Sequence, residues 1–130
     1  MTCPKCSAIM SEVSVAEYTV DRCTSCSGLW FDLREHEHIA KSPARVQALD
    51  TGDAAQGAQQ NAKRDVPCPL CHVKMLKLSV PAQPHIQYES CPVCYGAFFD
   101  AGELKDYASG SLAEQVGEFF RGFKRRGSDR

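Results

Sequence analysis

Eight cysteines fall as four Cys-x-x-Cys pairs, and the pairs come two by two. Cys3 and Cys6 are answered by Cys23 and Cys26, and Cys68 and Cys71 by Cys91 and Cys94, with no cysteine left over. Two residues between thiols let the backbone curl round one ion with its amide groups turned toward sulfur. A tetrahedral zinc ion takes four thiolates, so the spacing predicts two complete sites and two Zn2+ ions, one per site. Such a site is closed, with no coordination position left for water or substrate, and its metal is structural.

Other chemistries fit the pattern less well. Iron suits a rubredoxin-like four-cysteine site and is the lesser alternative. Redox dithiols of the thioredoxin kind need a βαβ frame, which the sequence lacks. Disulfides belong to oxidising compartments, whereas this chain opens directly on a metal motif, shows no leader and contains no membrane-length apolar run. It reads as cytoplasmic.

The two cysteine sets belong to a repeat. A shift of 65 residues carries Cys3-Pro4-Lys5-Cys6 onto Cys68-Pro69-Leu70-Cys71, Met10 onto Met75 and Val13 onto Leu78. From the second pair onward the shift is 68 residues. Cys23 and Cys26 meet Cys91 and Cys94, Gly28 meets Gly96, and Trp30-Phe31-Asp32 meets Phe98-Phe99-Asp100. The three extra residues fall around Pro81-Ala82-Gln83-Pro84, which predicts a lengthened hairpin tip. Four regions follow: a first ribbon with its helix at 1–49, a flexible linker at 50–66, a second ribbon with a short helix at 67–109, and a C-terminal amphipathic helix with a basic tail at 110–130. The linker reading rests on a small, polar, aperiodic composition in which Gly52 and Gly57 weaken any helix.

Within each copy, apolar alternation predicts one hairpin, from Val13, Val15, Tyr18 and Val20 in the first and Met75 (with Leu76 close by), Leu78, Val80, Ile86 and Tyr88 in the second. Phe-Asp-x-x-Glu follows each second knuckle, so Asp32 with Glu35 and Asp100 with Glu103 predict capping boxes opening helices. The first helix is expected to end near Ser42-Pro43, with a continuation to about Leu49, and the second near Ser109-Gly110. Gly28 and Gly96 suit the positive φ that metal knuckles often require. The fold class is a small metal-bound α+β protein with two zinc ribbons. Ser111 with Glu114, followed by Leu112, Val116, Phe119, Phe120 and Phe123 on one helical stripe, predicts the C-terminal helix.

The four histidines add no second site. His36 and His38 lie two apart on a helix, do not share a face, and read as a solvated surface. His72 follows a ligand set already complete, and His85 sits in the lengthened loop. Trp30, Phe31, Phe98 and Phe99 read as core, one of each adjacent pair pointing inward and the other toward the following helix. No nucleophile–base set, catalytic carboxylate pair or phosphate-cradling loop is visible, so the chain reads as no enzyme.

Formal net charge is −1, and two four-thiolate zinc sites take the loaded protein to about −5. Before residue 30 the first ribbon has only Lys5 and Arg22 against Glu12, Glu17 and Asp21, which favours a protein partner over nucleic acid, although Arg121, Lys124, Arg125, Arg126 and Arg130 make the tail basic enough to meet phosphate. The apolar C-terminal stripe offers a surface for a partner or for self-association. A redox-responsive zinc protein is a third reading.

Taken together, Cys-Pro-x-Cys, a short hairpin, Cys-x-x-Cys-x-Gly-x-Trp/Phe-Phe-Asp and a following Glu resemble the small bacterial transcription-factor-IIB-type zinc ribbon, in two copies at about 1–40 and 66–107. The resemblance implies one zinc per ribbon on the eight cysteines, and a link to transcription. The family's Gly-Glu-Leu ending is matched by Gly102-Glu103-Leu104, while the first copy has Arg34-Glu35-His36.

Overall fold

The computed structural model describes residues 1–80 and 83–109, with the side chains of Pro84 and His85 not described. Its strands are β1 (Met10–Val15), β2 (Tyr18–Cys23), β3 (Leu29–Phe31), β4 (Leu76–Val80), β5 (Gln83–Ser90) and β6 (Ala97–Phe99). Helices α1 (Glu35–Ile39), α2 (Pro43–Leu49) and α3 (Ala54–Asn61) lie between β3 and β4, and a further helix runs over 103–109. The expected C-terminal helix and basic tail lie outside the described residues, as does the end of the helix at 103–109.

The hairpins form where alternation placed them. Val13 pairs with Val20 and Val15 with Tyr18 in the first, and Leu78 pairs with Tyr88 in the second. Each ribbon also has a third strand, made by the Gly-aromatic-Phe stretch after the second knuckle, which was expected only to lead into a helix. Those third strands pair antiparallel with each other, Leu29 opposite Phe99, Trp30 opposite Phe98 and Phe31 opposite Ala97. One six-stranded sheet results, in the order β1-β2-β3-β6-β5-β4. The repeat maps Leu29 onto Ala97 and Phe31 onto Phe99, so this register is a local two-fold with Trp30 and Phe98 at its centre.

The strand pleat then sorts the aromatics. Phe31 and Phe99 join Leu29, Val20, Ile39, Leu49 and Leu104 in a core on the helix side. Trp30 and Phe98 join the cysteines, Met10, Met75 and Val66 on the opposite face. All four rings are at most 1 % exposed, as the core reading required.

Several local expectations change. Asp32 and Asp100 do not cap. Asp32 accepts the Trp30 indole N–H at 3.2 Å and Asp100 binds Lys5, while α1 starts from Arg34 in the left-handed region at φ 63° with no side-chain cap. Only the return arm of the first box survives, with Glu35 Oε1 accepting the Asp32 amide at 3.3 Å. The helix break at Ser42-Pro43 is sharp, because Ser42 is extended, accepts the Arg45 amide at 3.4 Å and starts α2 with Pro43 in its first turn. The three extra residues of the second copy are absorbed inside β5 rather than at the tip. Ser79 faces Gln87 but Val80 faces Gln83.

The stretch expected to be a flexible linker contains α3, which packs on the second ribbon. Asp53 caps it, accepting the Ala55 amide at 2.9 Å. Gly57, which weakened the helical reading, is what lets α3 approach, since a Cβ there would lie 1.9 Å from the Ala101 carbonyl oxygen. Asp50 is fully buried and accepts the Gly102 amide at 2.9 Å and the Lys105 amide at 3.0 Å, supplying the start of the helix at 103–109 with the cap that Asp100 does not.

Candidate metal centres and the buried charge between them

Four knuckles of one design hold the cysteines. In each, the amide of the residue after the second cysteine returns to the carbonyl of the first: Ser7 to Cys3 at 3.0 Å, Ser27 to Cys23 at 3.2 Å, His72 to Cys68 at 2.9 Å and Tyr95 to Cys91 at 3.0 Å. Those four residues carry the positive φ, between 62° and 68°. The left-handed position therefore falls one residue before Gly28 and Gly96, which are needed for another reason. A Cβ on Gly28 would sit 2.3 Å from the Phe98 ring, and one on Gly96 would sit 2.3 Å from the Trp30 ring. Each glycine makes room for the other ribbon's central aromatic.

The knuckles bring the sulfurs together as the spacing predicted. Cys3, Cys6, Cys23 and Cys26 form one group and Cys68, Cys71, Cys91 and Cys94 another, each with its sulfurs within 4.8 Å of one another. Cys3 and Cys26 sulfurs are 3.7 Å apart and those of Cys68 and Cys94 3.8 Å, close to the roughly 3.8 Å edge of a tetrahedron with 2.3 Å zinc–sulfur bonds. No cysteine is disulfide-bonded. Backbone N–H groups aim at the sulfurs: Lys5 on Cys3, Ser25 and Cys26 on Cys23, Leu70 and Cys71 on Cys68, and Val93 and Cys94 on Cys91, at 3.3–3.4 Å. They suit thiolates, whose charge they partly offset. Burial pushes the Cys94 thiol up to about 12, so in the metal-free chain it holds a proton that a cation must displace. The donor set fits zinc, which would supply the cross-link between two knuckles that a ribbon this small cannot make from its core.

Between the centres lies a network the sequence did not announce. Lys5, flanked by two ligands, has a fully buried side chain. Its Nζ is 2.9 Å from Asp100 Oδ2 and 3.0 Å from Glu89 Oε2 and donates to the Gln60 carbonyl at 2.9 Å. Lys77 lies 2.6 Å from the same Glu89 oxygen and donates to the Asn61 carbonyl at 2.7 Å. First knuckle, α3 and the β4–β5 hairpin are thereby pinned together. Burial raises Asp100 to about 6 against the pull of Lys5. The repeat could have flagged the site, since Lys5 stands where the second copy has Leu70.

His36 also departs from expectation. It is buried, not solvated, within an aromatic cluster of Phe31, Phe99, Tyr88 and Tyr107, with ring centroids 5.4–6.3 Å away. Burial lowers its pKa to about 4, so it is neutral at physiological pH. Exposed His38 points elsewhere, so the two share no site, and exposed His72 serves the left-handed knuckle position. No helix among the described residues is long and apolar enough to cross a membrane.

A family model for the transcription-factor-IIB-type zinc ribbon, described as "Transcription factor zinc-finger", matches residues 2–42 and 67–110, together most of the chain. No curated protein and no solved structure matches significantly.

Proposed function

Because the chain belongs to the transcription-factor-IIB-type zinc ribbon family, with two copies in tandem, we propose that it is a non-enzymatic interaction module of the cytoplasm, tied to transcription, that binds a protein partner. Cys3, Cys6, Cys23 and Cys26 hold one Zn2+ and Cys68, Cys71, Cys91 and Cys94 a second. The ions fix the knuckles and take no part in chemistry, since each site is closed by four protein ligands.

The observation that carries the choice of partner is the second ribbon's tip. Leu70, Val73 and Val93 flank its four sulfurs and are 50 %, 37 % and 61 % exposed. The first ribbon has Lys5, Ala8 and Ser25 at those positions, with Lys5 buried. An apolar knuckle pair favours a protein surface over phosphate. Several described cations are also engaged: Arg45 pairs with Glu17, Arg34 with Glu37 and Lys77 with Glu89.

The test compares the zinc-loaded chain with L70D/V93D. Elemental analysis is expected to give two zinc per chain in both, and proteins captured by the parent are expected to be lost by the variant. Salt-sensitive binding to random DNA that survives L70D/V93D would overturn the protein-partner reading in favour of nucleic acid. Zinc release under mild peroxide, reversed by reductant, would favour the redox reading.

A further inference from the structure

The two hairpins differ in what covers their helix-side faces. In the first half the chain running on from α1 does so. Val46 and Leu49 pack with Val20, the Leu49 carbonyl accepts from Arg22 Nη1 at 3.2 Å, Asp50 holds the Gly102 and Lys105 amides, and Gly52 lies against Ser27 and Ala101. The repeat carries Val13, Val20, Arg22 and Ser27 onto Leu78, Tyr88, Ser90 and Tyr95, and carries Leu33 and Arg34 onto Ala101 and Gly102. In the second half Leu33, Leu78, Tyr88 and Tyr95 line an open groove of about 580 Å3, together with Ser90, His36 and the ion-paired Arg34 and Glu37. Leu33 is 61 % exposed and Tyr95 59 %, whereas Ala101, the counterpart of Leu33, is 2 % exposed. The groove is therefore the place, related by the local two-fold, that residues 46–52 fill on the other side.

We propose that residues 111–123 of this same chain occupy that groove, as residues 43–52 occupy its counterpart. Position in the chain names the occupant. The helix at 103–109 is the repeat of α1, so residues 111–123 follow it in the chain as α2 and Asp50 follow α1. Composition agrees. Ser111 lies one residue past the repeat position of Ser42, and Leu112, Val116, Phe119, Phe120 and Phe123 are more numerous apolar residues than Val46 and Leu49. Leu33, the partly exposed Leu78 and the ring of Tyr95 are the surface such residues would seal from water. The groove lies on the helix-side face, so this occupancy does not depend on the partner assigned to the knuckles.

A photo-reactive benzoylphenylalanine placed at Phe119 of the zinc-loaded full chain tests it. Irradiation is expected to give adducts within one chain, mapped by mass spectrometry to Leu33, Leu78 or Tyr95, and L78D is expected to abolish them with both zinc ions retained. In parallel, trypsin is expected to cut after Arg121 several-fold faster in L78D than in the parent. Adducts between chains would assign the groove to a second copy and overturn the proposal. Adducts elsewhere in the chain, none at all, or tryptic cleavage at equal rates would overturn it too.

Discussion

The two ribbons share ligands, knuckles and third strand, yet they are not equivalent halves. Where the copies meet, at Gly28, Gly96, Trp30 and Phe98, the sequence stays symmetric, because each residue serves the same contact from both sides. Away from the two-fold they diverge. Lys5 is buried in charge where Leu70 faces water, and Ala101 is covered where Leu33 is bare. Metal ligands and junction thus define a common scaffold, and beyond the three extra residues in β5 the halves differ in what they hold against it. The lesson is that a duplicated unit is most constrained where it touches its own image.

The largest test of that scaffold is removal of one ligand. C91S is expected to lose the second zinc, worth about 10–16 kcal/mol of apparent binding energy. Because β3 has only β6 beyond it, the first ribbon is expected to lose structure as well. Circular dichroism with metal analysis checks this, and a first ribbon that keeps its zinc and its full melting transition would break the single-sheet picture.

Next comes the charge asymmetry. K5M leaves Asp100 and Glu89 buried with less compensation and is expected to cost about 3–5 kcal/mol in denaturant unfolding. L70K, which recreates the same residue in the other copy, is expected to stay within about 0.5 kcal/mol, since Leu70 is half exposed. Equal costs would mean that the halves are closer in energy than in geometry.

The junction itself should respond symmetrically. G28V and G96V each force a side chain into the opposite ribbon's ring and are expected to cost about 2–3 kcal/mol apiece. A cost at only one of them would show that the two-fold is geometric and not energetic.

The smallest effect concerns pH. Burial lifts Glu103 to about 7 even though it accepts the Gln87 amide, so the folded protein holds this proton more tightly than the unfolded chain, whose value is near 4.5. Its favourable contribution is complete below that lower value and is lost as pH rises through 7. E103Q is therefore expected to be more stable than the parent by about 1 kcal/mol at pH 8, after discounting for partial exposure, and level with it at pH 4. Glu35, its repeat partner, is raised by burial as well, and E35Q is expected to show the same trend on a smaller scale.

What the sequence revealed followed the range of each interaction. Cysteine spacing, hairpin alternation and the Ser42-Pro43 break are local, and all reappear in the fold. The capping boxes failed because Asp100 and Asp32 found partners, Lys5 and Trp30, that no local pattern names. His36 looked solvated by its neighbours in sequence but lies under aromatics contributed by both ribbons and the helix at 103–109. The linker misled because Gly57 has opposite meanings in a free helix and against a carbonyl. The pairing of β3 with β6 had one visible trace, the matched Gly-x-aromatic-Phe frames, whose glycines answer to the other copy's rings.

That strand pair carries one more consequence. A lone ribbon would bear a three-residue edge whose ideal mate is another ribbon, so separated halves would associate only as concentration allows. Joining them through 50–66 makes the encounter unimolecular, at an effective concentration on the order of millimolar. Three residue pairs and two rings can then stay closed at any dilution the cell imposes, and assembly of the metal-bearing unit becomes independent of how much of it is made.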